Sequence, residues 1–311
     1  MEPITFHPLY MERVWGGRAL EDVYGRALPS EMPFGEAWEL VDREEQQSVV
    51  DCGPWDGMTL HQLWNEHRAG IFGEGYESHG RFPILLKILD SRDDLSIQVH
   101  PSAAYAEVAG GEPKTEMWYI ADSSPGAKLY VGLKSGVSRG DFEAGVRSGT
   151  VESLVHAIQP CRGESIFIAS GRLHAIGAGF LIHEIQQNSD TTYRVYDWNR
   201  SGLDGRPREL HIEQSLSSID FDDFEPTMDA AEGKTLASCE WFRTEKDAVS
   251  AGGQVAAPDP DRFVLVSIVE GALVSKAGRR FHKGMTLLLP RGASPLQAME
   301  DSEILFITLP C

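Results

Sequence analysis

Cysteine is scarce: the 311 residues hold four, at 52, 161, 239 and 311, with no C-x-x-C pair. Such spacing supplies neither a disulfide framework nor a thiolate zinc site, and it points to reduced thiols in a cytoplasmic protein. Basic residues are also in deficit. Twenty-eight Lys and Arg face 47 Asp and Glu, a formal charge of −19, which repels a phosphate backbone and leaves no basic stripe for nucleic acid. No stretch approaches the ~20 apolar residues of a membrane span. The start, MEPITFHPLYMERVWGG, lacks the basic head and apolar run of an export signal. With nucleic acid and membrane set aside, the expected partner is a small molecule, and the chain is compatible with a monomer or a homodimer.

Long helical periodicity is missing too. It is confined to 58–67, 138–149 and 151–158, with Thr59 and Ser138 placed to cap the first two. What remains is strand-like: FPILLKILD (82–90), LSIQVHP (95–101), EMWYIAD (116–122), AKLYVGL (127–133), ESIFIA (164–169), GFLIHEIQQ (179–187) and TTYRVYDW (191–198) are short and rich in β-branched and aromatic residues. After an acidic, aperiodic stretch at 219–233, which reads as a linker, four more apolar segments follow at 239–246, 262–275, 284–290 and 302–309. Many short strands between Gly turns suggest sandwiches or barrels.

A glycine frame occurs twice. Gly163, five residues, Ala169, one residue, Gly171, two residues and His174 make GESIFIASGRLH; Gly284, Pro290, Gly292 and Pro295 repeat the spacing in GMTLLLPRGASP. Both stretches resemble the second conserved motif of the cupin superfamily, the second without the histidine. The resemblance implies an all-β fold of two cupin-type jelly-roll barrels with a few short helical segments. The expected division is a catalytic domain over 1–225 and a degenerate domain over 226–311 without metal ligands.

The strand period of two puts Gln98 and His100 on one face, and Lys114 and Glu116 on another. If their strands and that of His174 neighbour one another, Gln98, His100, Glu116 and His174 form an inward set of two nitrogens and two oxygens, which suits zinc with room for a water or a hydroxyl. The plain alternatives are structural histidines and a Lys114–Glu116 salt bridge. Downstream, the turn signal NSDT (188–191) allows Glu184 and Arg194 to face each other across a hairpin, in the site or as a surface ion pair. Trp15, Trp38 and Trp118 offer either sugar-stacking faces or core.

QVHP, KTEMWYI, GRLHAIG and EIQQNSDTTYRVYDWNR, in that order and preceded by VWGG (14–17) and GEAWEL (35–40), resemble the type I mannose-6-phosphate isomerases in their short bacterial form. The resemblance implies that Gln98, His100, Glu116 and His174 bind one zinc ion per chain, that Arg194 is the active-site arginine, and that Lys114 and Glu184 line the same pocket. Ala169 departs from the proline usual in cupins, and Gln98 stands where many cupins have a first histidine. The implied reaction interconverts mannose 6-phosphate and fructose 6-phosphate through an enediolate, with Glu184 as the first choice of base and Lys114 the second. Lys87, Lys114, Arg194 and Arg200 are available for the phosphate. A non-catalytic sugar-phosphate-binding cupin and a cupin phosphoglucose isomerase are the alternatives.

Overall fold

The computed structural model describes residues 1–76, 80–229 and 234–310, and most of its ordered elements are strands. The first eleven are β1 (Leu9–Gly17), β2 (Phe34–Leu40), β3 (Ile84–Ser91), β4 (Ile97–Val99), β5 (Glu116–Ser123), β6 (Leu129–Leu133), β7 (Val155–Ile158), β8 (Ser165–Ile168), β9 (His174–Ile176), β10 (Phe180–Gln187) and β11 (Tyr193–Tyr196). They build a six-stranded sheet in the order β1-β2-β3-β10-β5-β8 and a five-stranded sheet in the order β11-β4-β9-β6-β7. Nine more follow: β12 (Thr235–Ser238), β13 (Arg243–Val249), β14 (Gln254–Val255), β15 (Val264–Glu270), β16 (Ala272–Val274), β17 (Arg280–His282), β18 (Thr286–Leu289), β19 (Leu296–Ala298) and β20 (Ser302–Thr308). These pair as β12-β13-β20-β15-β18 and β14-β19-β16-β17.

The two halves share one strand order. β2-β3-β10-β5-β8 corresponds to β12-β13-β20-β15-β18, and β4-β9-β6-β7 to β14-β19-β16-β17. The glycine frame sits at the same place in each half, before and after the edge strands β8 and β18. Its glycines turn the chain through positive φ: 91° at both Gly163 and Gly171, 82° at Gly284 and 66° at Gly292. Side chains with a Cβ avoid that conformation, which is why the spacing is legible as a repeat.

Strand alternation sorts the apolar residues into layers. Leu89, Trp118, Ile166 and Ile182 face inward from the six-stranded sheet and meet Leu129, Val131 and Ile176 of the five-stranded one. Their odd-even neighbours Ile88, Met117, Tyr119, Leu181 and Ile185 face the other way, onto Leu265, Leu288, Leu305 and Ile307 of the C-terminal half. Val264, Val266, Ile268, Phe281, Leu296 and Phe306 fill the interior of that half. Phe263 packs edge-on to Phe72 at 4.9 Å and contacts Tyr76 and Phe82 across the junction of the halves. Phe263→Ala is expected to cost about 3–5 kcal/mol of unfolding free energy, measured by denaturant titration, because nothing small can refill that aromatic cluster.

Helices are short and few, as expected, but not all lie where periodicity put them. Thr59 and Ser138 close capping boxes on the helices Leu60–Glu66 and Arg139–Ser148. The expected helix at 151–158 is a single 3-10 turn, Val151–Leu154, after which Val155–Ile158 pairs with β6 as a strand. Cross-strand pairing of its β-branched residues outweighs its weak helical period. Helices Ala103–Ala109 and Ile212–Ser218 were not expected. The presumed linker is docked over its described part: Glu225 N–H donates to the Leu133 carbonyl, and Asp229 bridges to Ser165. Its residues 230–233, like Cys311, lie outside the described residues. No helix among the described residues is long and apolar enough to cross a membrane.

Candidate metal centre and its cavity

Between the two N-terminal sheets lies a cavity of about 610 Å³, whose walls include Glu36, Lys87, Gln98, Lys114, Glu184 and Arg194. Next to Gln98 and Lys114 of its wall, three buried side chains converge. His100 follows β4, Glu116 opens β5 and His174 opens β9, and one donor atom from each lies within 4.8 Å of the others. His100 Nε2 is 3.6 Å from Glu116 Oε2, and His174 Nε2 is 3.7 Å from Glu116 Oε1. Gln98 is paired directly with His174 across β4 and β9, and its amide Nε2 lies 3.3 Å from His174 Nε2. Donors on a tetrahedral zinc are about 3.4 Å apart for bonds near 2.1 Å, so these spacings match.

The chain also prepares the lone pairs. Nδ1–H of His100 donates to the Thr191 carbonyl and Nδ1–H of His174 to the Arg172 carbonyl, both at 2.9 Å. With Nδ1 protonated, each Nε2 presents a lone pair to Glu116, the arrangement that orients metal-bound imidazoles. Burial, with the Lys114 ammonium nearby, pushes His100 down to about 3, and burial lowers His174 as well, so both rings are neutral. His100 Nε2 and both oxygens of Glu116 are buried without a hydrogen-bond partner. Lys114 Nζ lies 2.8 Å from Glu116 Oε2 as an ion pair. Buried, unpartnered acceptors aimed at one point are costly unless a cation meets them.

Beyond the cluster, charges alternate across the sheet floor. Lys114 Nζ is 3.7 Å from Glu184 Oε1, Lys87 Nζ is 3.5 Å from the same oxygen and 3.6 Å from Glu36 Oε2, and Arg13 Nε is 2.7 Å from Glu36 Oε1. Register explains the row, since Glu184 on β10 sits opposite Lys87 on β3 and opposite Trp118 on β5. Indole N–H groups hold the acids in place: Trp118 donates to Glu184 Oε2 and Trp38 to Glu36 Oε2. Burial alone would raise every carboxyl here. At Glu116 the Lys114 ammonium overrides burial and holds the group well below the usual carboxylate range, and at Glu36 Lys87 and Arg13 do so, to about 2. Glu184 differs: burial, reinforced by the Glu116 charge, leaves it raised despite Lys114 and Lys87.

Known proteins resemble this chain throughout its length. The family description for the catalytic domain of type I phosphomannose isomerase matches residues 4–125. The mannose-6-phosphate isomerase ManA of Bacillus subtilis is 37% identical over 303 residues, 94% of each chain. The chain belongs to the type I phosphomannose isomerase family. A Streptococcus mutans mannose-6-phosphate isomerase is 35% identical over 98% of this chain and 97% of its own. The crystal structure of the Bacillus subtilis mannose 6-phosphate isomerase superposes with a TM-score of 0.88 at 33% identity, covering 99% of this chain and 100% of that one.

Set against the family motifs, Gln98, His100, Glu116 and His174 come together as expected, with Lys114 and Glu184 beside them. Glu116 reaches the group from the six-stranded sheet, opposite the other three. The expected hairpin between Glu184 and Arg194 does not form: β10 belongs to the six-stranded sheet, whereas β11 pairs with β4 in the five-stranded one, where Arg194 lies opposite Gln98. The NSDT turn carries the chain between sheets instead of folding it back, with Asn188 anchored to the carbonyls of Asp42 and Phe82. Both residues still line the one cavity. Glu36, and Lys87 as a partner of Glu184, escaped sequence reasoning. A lysine at the centre of the wholly apolar run ILLKIL, buried on both faces, was the available signal.

The C-terminal half lacks this chemistry at corresponding positions. Register through β8 and β18 places Val264 at the position of Glu116 and Phe306 at that of Glu184, and the glycine frame places Pro295 at that of His174.

Proposed function

We propose that this chain is a zinc-dependent aldose–ketose isomerase that interconverts D-mannose 6-phosphate and D-fructose 6-phosphate through an enediolate. It would act in the cytoplasm, as a monomer or homodimer. Each pair of sheets is taken as a cupin-type jelly roll, the catalytic one ending near residue 225 and the second acting as a scaffold. The relatives' names give the substrate, and one local observation carries the chemistry. The buried carboxylate of Glu184 has Oε1 without a hydrogen-bond partner, lies between two ammonium groups, and lines the same cavity as Gln98 and Lys114, which adjoin the His–Glu–His cluster.

His100, Glu116 and His174 would hold the zinc, with Gln98 joining through its carbonyl oxygen once the amide is turned over. Bound there, the ion supplies Lewis-acid polarisation of the substrate carbonyl. The proton work falls to the chain. Glu184 takes the proton from C2 and returns it to C1, a role suited to a carboxyl raised above its ordinary value yet held ionised by neighbouring lysines. Lys114, kept cationic by Glu116 and Glu184 against burial, offers an N–H to the oxygen on which charge develops. Lys87 and the Trp118 indole keep the Glu184 carboxylate aimed. Arg194 adds a permanent positive charge on the opposite wall.

Turnover of mannose 6-phosphate, read as fructose 6-phosphate formed, tests the reading directly. Purified protein should isomerise it, lose the activity on chelation and regain it with zinc. Failure of folded, zinc-loaded protein to do so would reject the function.

A further inference from the structure

A hexose 6-phosphate carries its dianion at the opposite end of the carbon chain from C1, and the cavity has two cationic regions to offer it. The inner region is already balanced: Arg13, Lys87 and Lys114 alternate with Glu36, Glu184 and Glu116. Whatever charge a metal adds there lies at the carbonyl end. The outer region is different. Around Asp197 gather three guanidiniums, Arg194, Arg200 and Arg208, and Asp197 pairs directly with two of them.

The geometry leaves donors to spare. Arg208 spends Nε and Nη2 on Asp197, and among the described residues its Nη1 makes no hydrogen bond. Arg194 donates Nη1 to the Glu209 carbonyl, while its buried Nε–H has no partner. Arg194 and Arg208 both line the cavity. The remaining carboxylates do not fill the gap. Asp204, on the same loop, is turned back to accept from Arg206 N–H, and Asp93 reaches only Arg200, at 3.8 Å. Burial and the Arg208 charge lower Arg194 from its ordinary value, as expected where like charges are crowded before an anion arrives. Three guanidiniums against the one closely paired carboxylate, Asp197, leave a positive surplus that the exposed Glu209 and Asp93 offset only in part, and a phosphate monoester, with ~1.5 to 2 negative charges at neutral pH, suits it.

Arg208 reaches this position through a small loop. Ser201 bridges to Pro207 and Gly202 N–H donates to the Arg206 carbonyl, so residues 201–207 close on themselves. Asp197 ties the two arms together through Arg200 and Arg208. We propose that Arg194 and Arg208, the latter positioned by Asp197, form the phosphate subsite of this cavity, so that the sugar lies with its carbonyl carbons toward Glu184 and Lys114. The placement rests on the isomerase reading above and assigns Arg208, which motif spacing left unmarked, as a specificity-determining residue.

The test compares zinc-loaded wild-type protein with Arg208→Ala, Arg208→Lys and Arg206→Ala, the last removing an equal charge from the exposed part of the same loop. Two quantities are read: KM and kcat for mannose 6-phosphate, and the affinity for inorganic phosphate by calorimetry. Arg208→Ala should raise KM and weaken phosphate binding in parallel by about 30-fold or more, with kcat changed less than about threefold, because a charge-assisted contact is lost from ground and transition state alike. Arg208→Lys should fall between, since it keeps the charge and loses the planar fork. Arg206→Ala should stay within about twofold in both. An Arg208→Ala protein with wild-type KM and phosphate affinity overturns the subsite while the isomerase reading stands. Wild-type protein that does not isomerise mannose 6-phosphate, yet binds phosphate through Arg208, overturns the isomerase reading and keeps the subsite. Should the loop collapse in Arg208→Ala, as near-ultraviolet circular dichroism would reveal, the Lys variant decides: wild-type values for both KM and phosphate affinity there reject the need for the guanidinium.

Discussion

Glu184→Gln should reduce kcat for mannose 6-phosphate by about 10³-fold while KM moves by less than about threefold and bound zinc stays at the wild-type level. The side chain does not touch the His–Glu–His cluster; it is tied to Trp118 and faces Lys87 and Lys114. The amide preserves shape and can still accept the indole hydrogen bond, so what disappears is basicity. Loss of basicity also predicts loss of solvent-hydrogen exchange at C2, which a mass spectrum of substrate recovered from heavy water reads independently of product formation. A drop of less than tenfold, with exchange intact, would move the proton-transfer role to Lys114, the next group in the row.

Glu116→Gln is expected to have the largest combined effect, removing zinc, activity and stability together. Glu116 is the acidic member of the cluster and the nearest partner of Lys114, whose side chain is only 5% exposed. Removing the charge leaves the ammonium with Glu184 at 3.7 Å as its nearest carboxylate. Breaking a buried pair by taking one partner costs about 3–5 kcal/mol, and the surviving Glu184 contact puts the expectation at the lower end. Metal content by atomic emission should fall to background, and a denaturant titration should show the lost stability. Adding Lys114→Met to Glu116→Gln separates the two effects: stability should recover, because no uncompensated charge remains, and metal should not. Recovery of zinc in the double variant would show that the carboxylate is not a ligand.

A good part of the candidate site was legible before the fold was known, because its residues sit in short local patterns. Q-x-H and K-x-E follow the strand period, and the glycine frame marks positions where φ must be positive. These constraints act within a few residues and therefore leave a trace in a linear string. The strand segments from Ile84 to Tyr196 were legible for the same reason, whereas the helical reading of 151–158 failed because cross-strand partners, not local period, decided it.

Pairing across sheets leaves no such trace. Nothing in the spacing of Glu184 and Arg194 separates a hairpin from a crossover, and only the packed sheets put one on the floor and the other on the opposite wall. The same holds for Lys87, which is unremarkable until register sets it against Glu184, and for Arg208, which reaches the cavity through a loop tied down by Asp197. By itself the sequence determined the β character, the duplicated frame and the identity of the metal-binding candidates, since each depends on backbone conformation or side-chain alternation over a few residues. The tertiary structure alone decided which charges are neighbours, because Coulomb energies depend on distances in space that strand order sets and chain order does not.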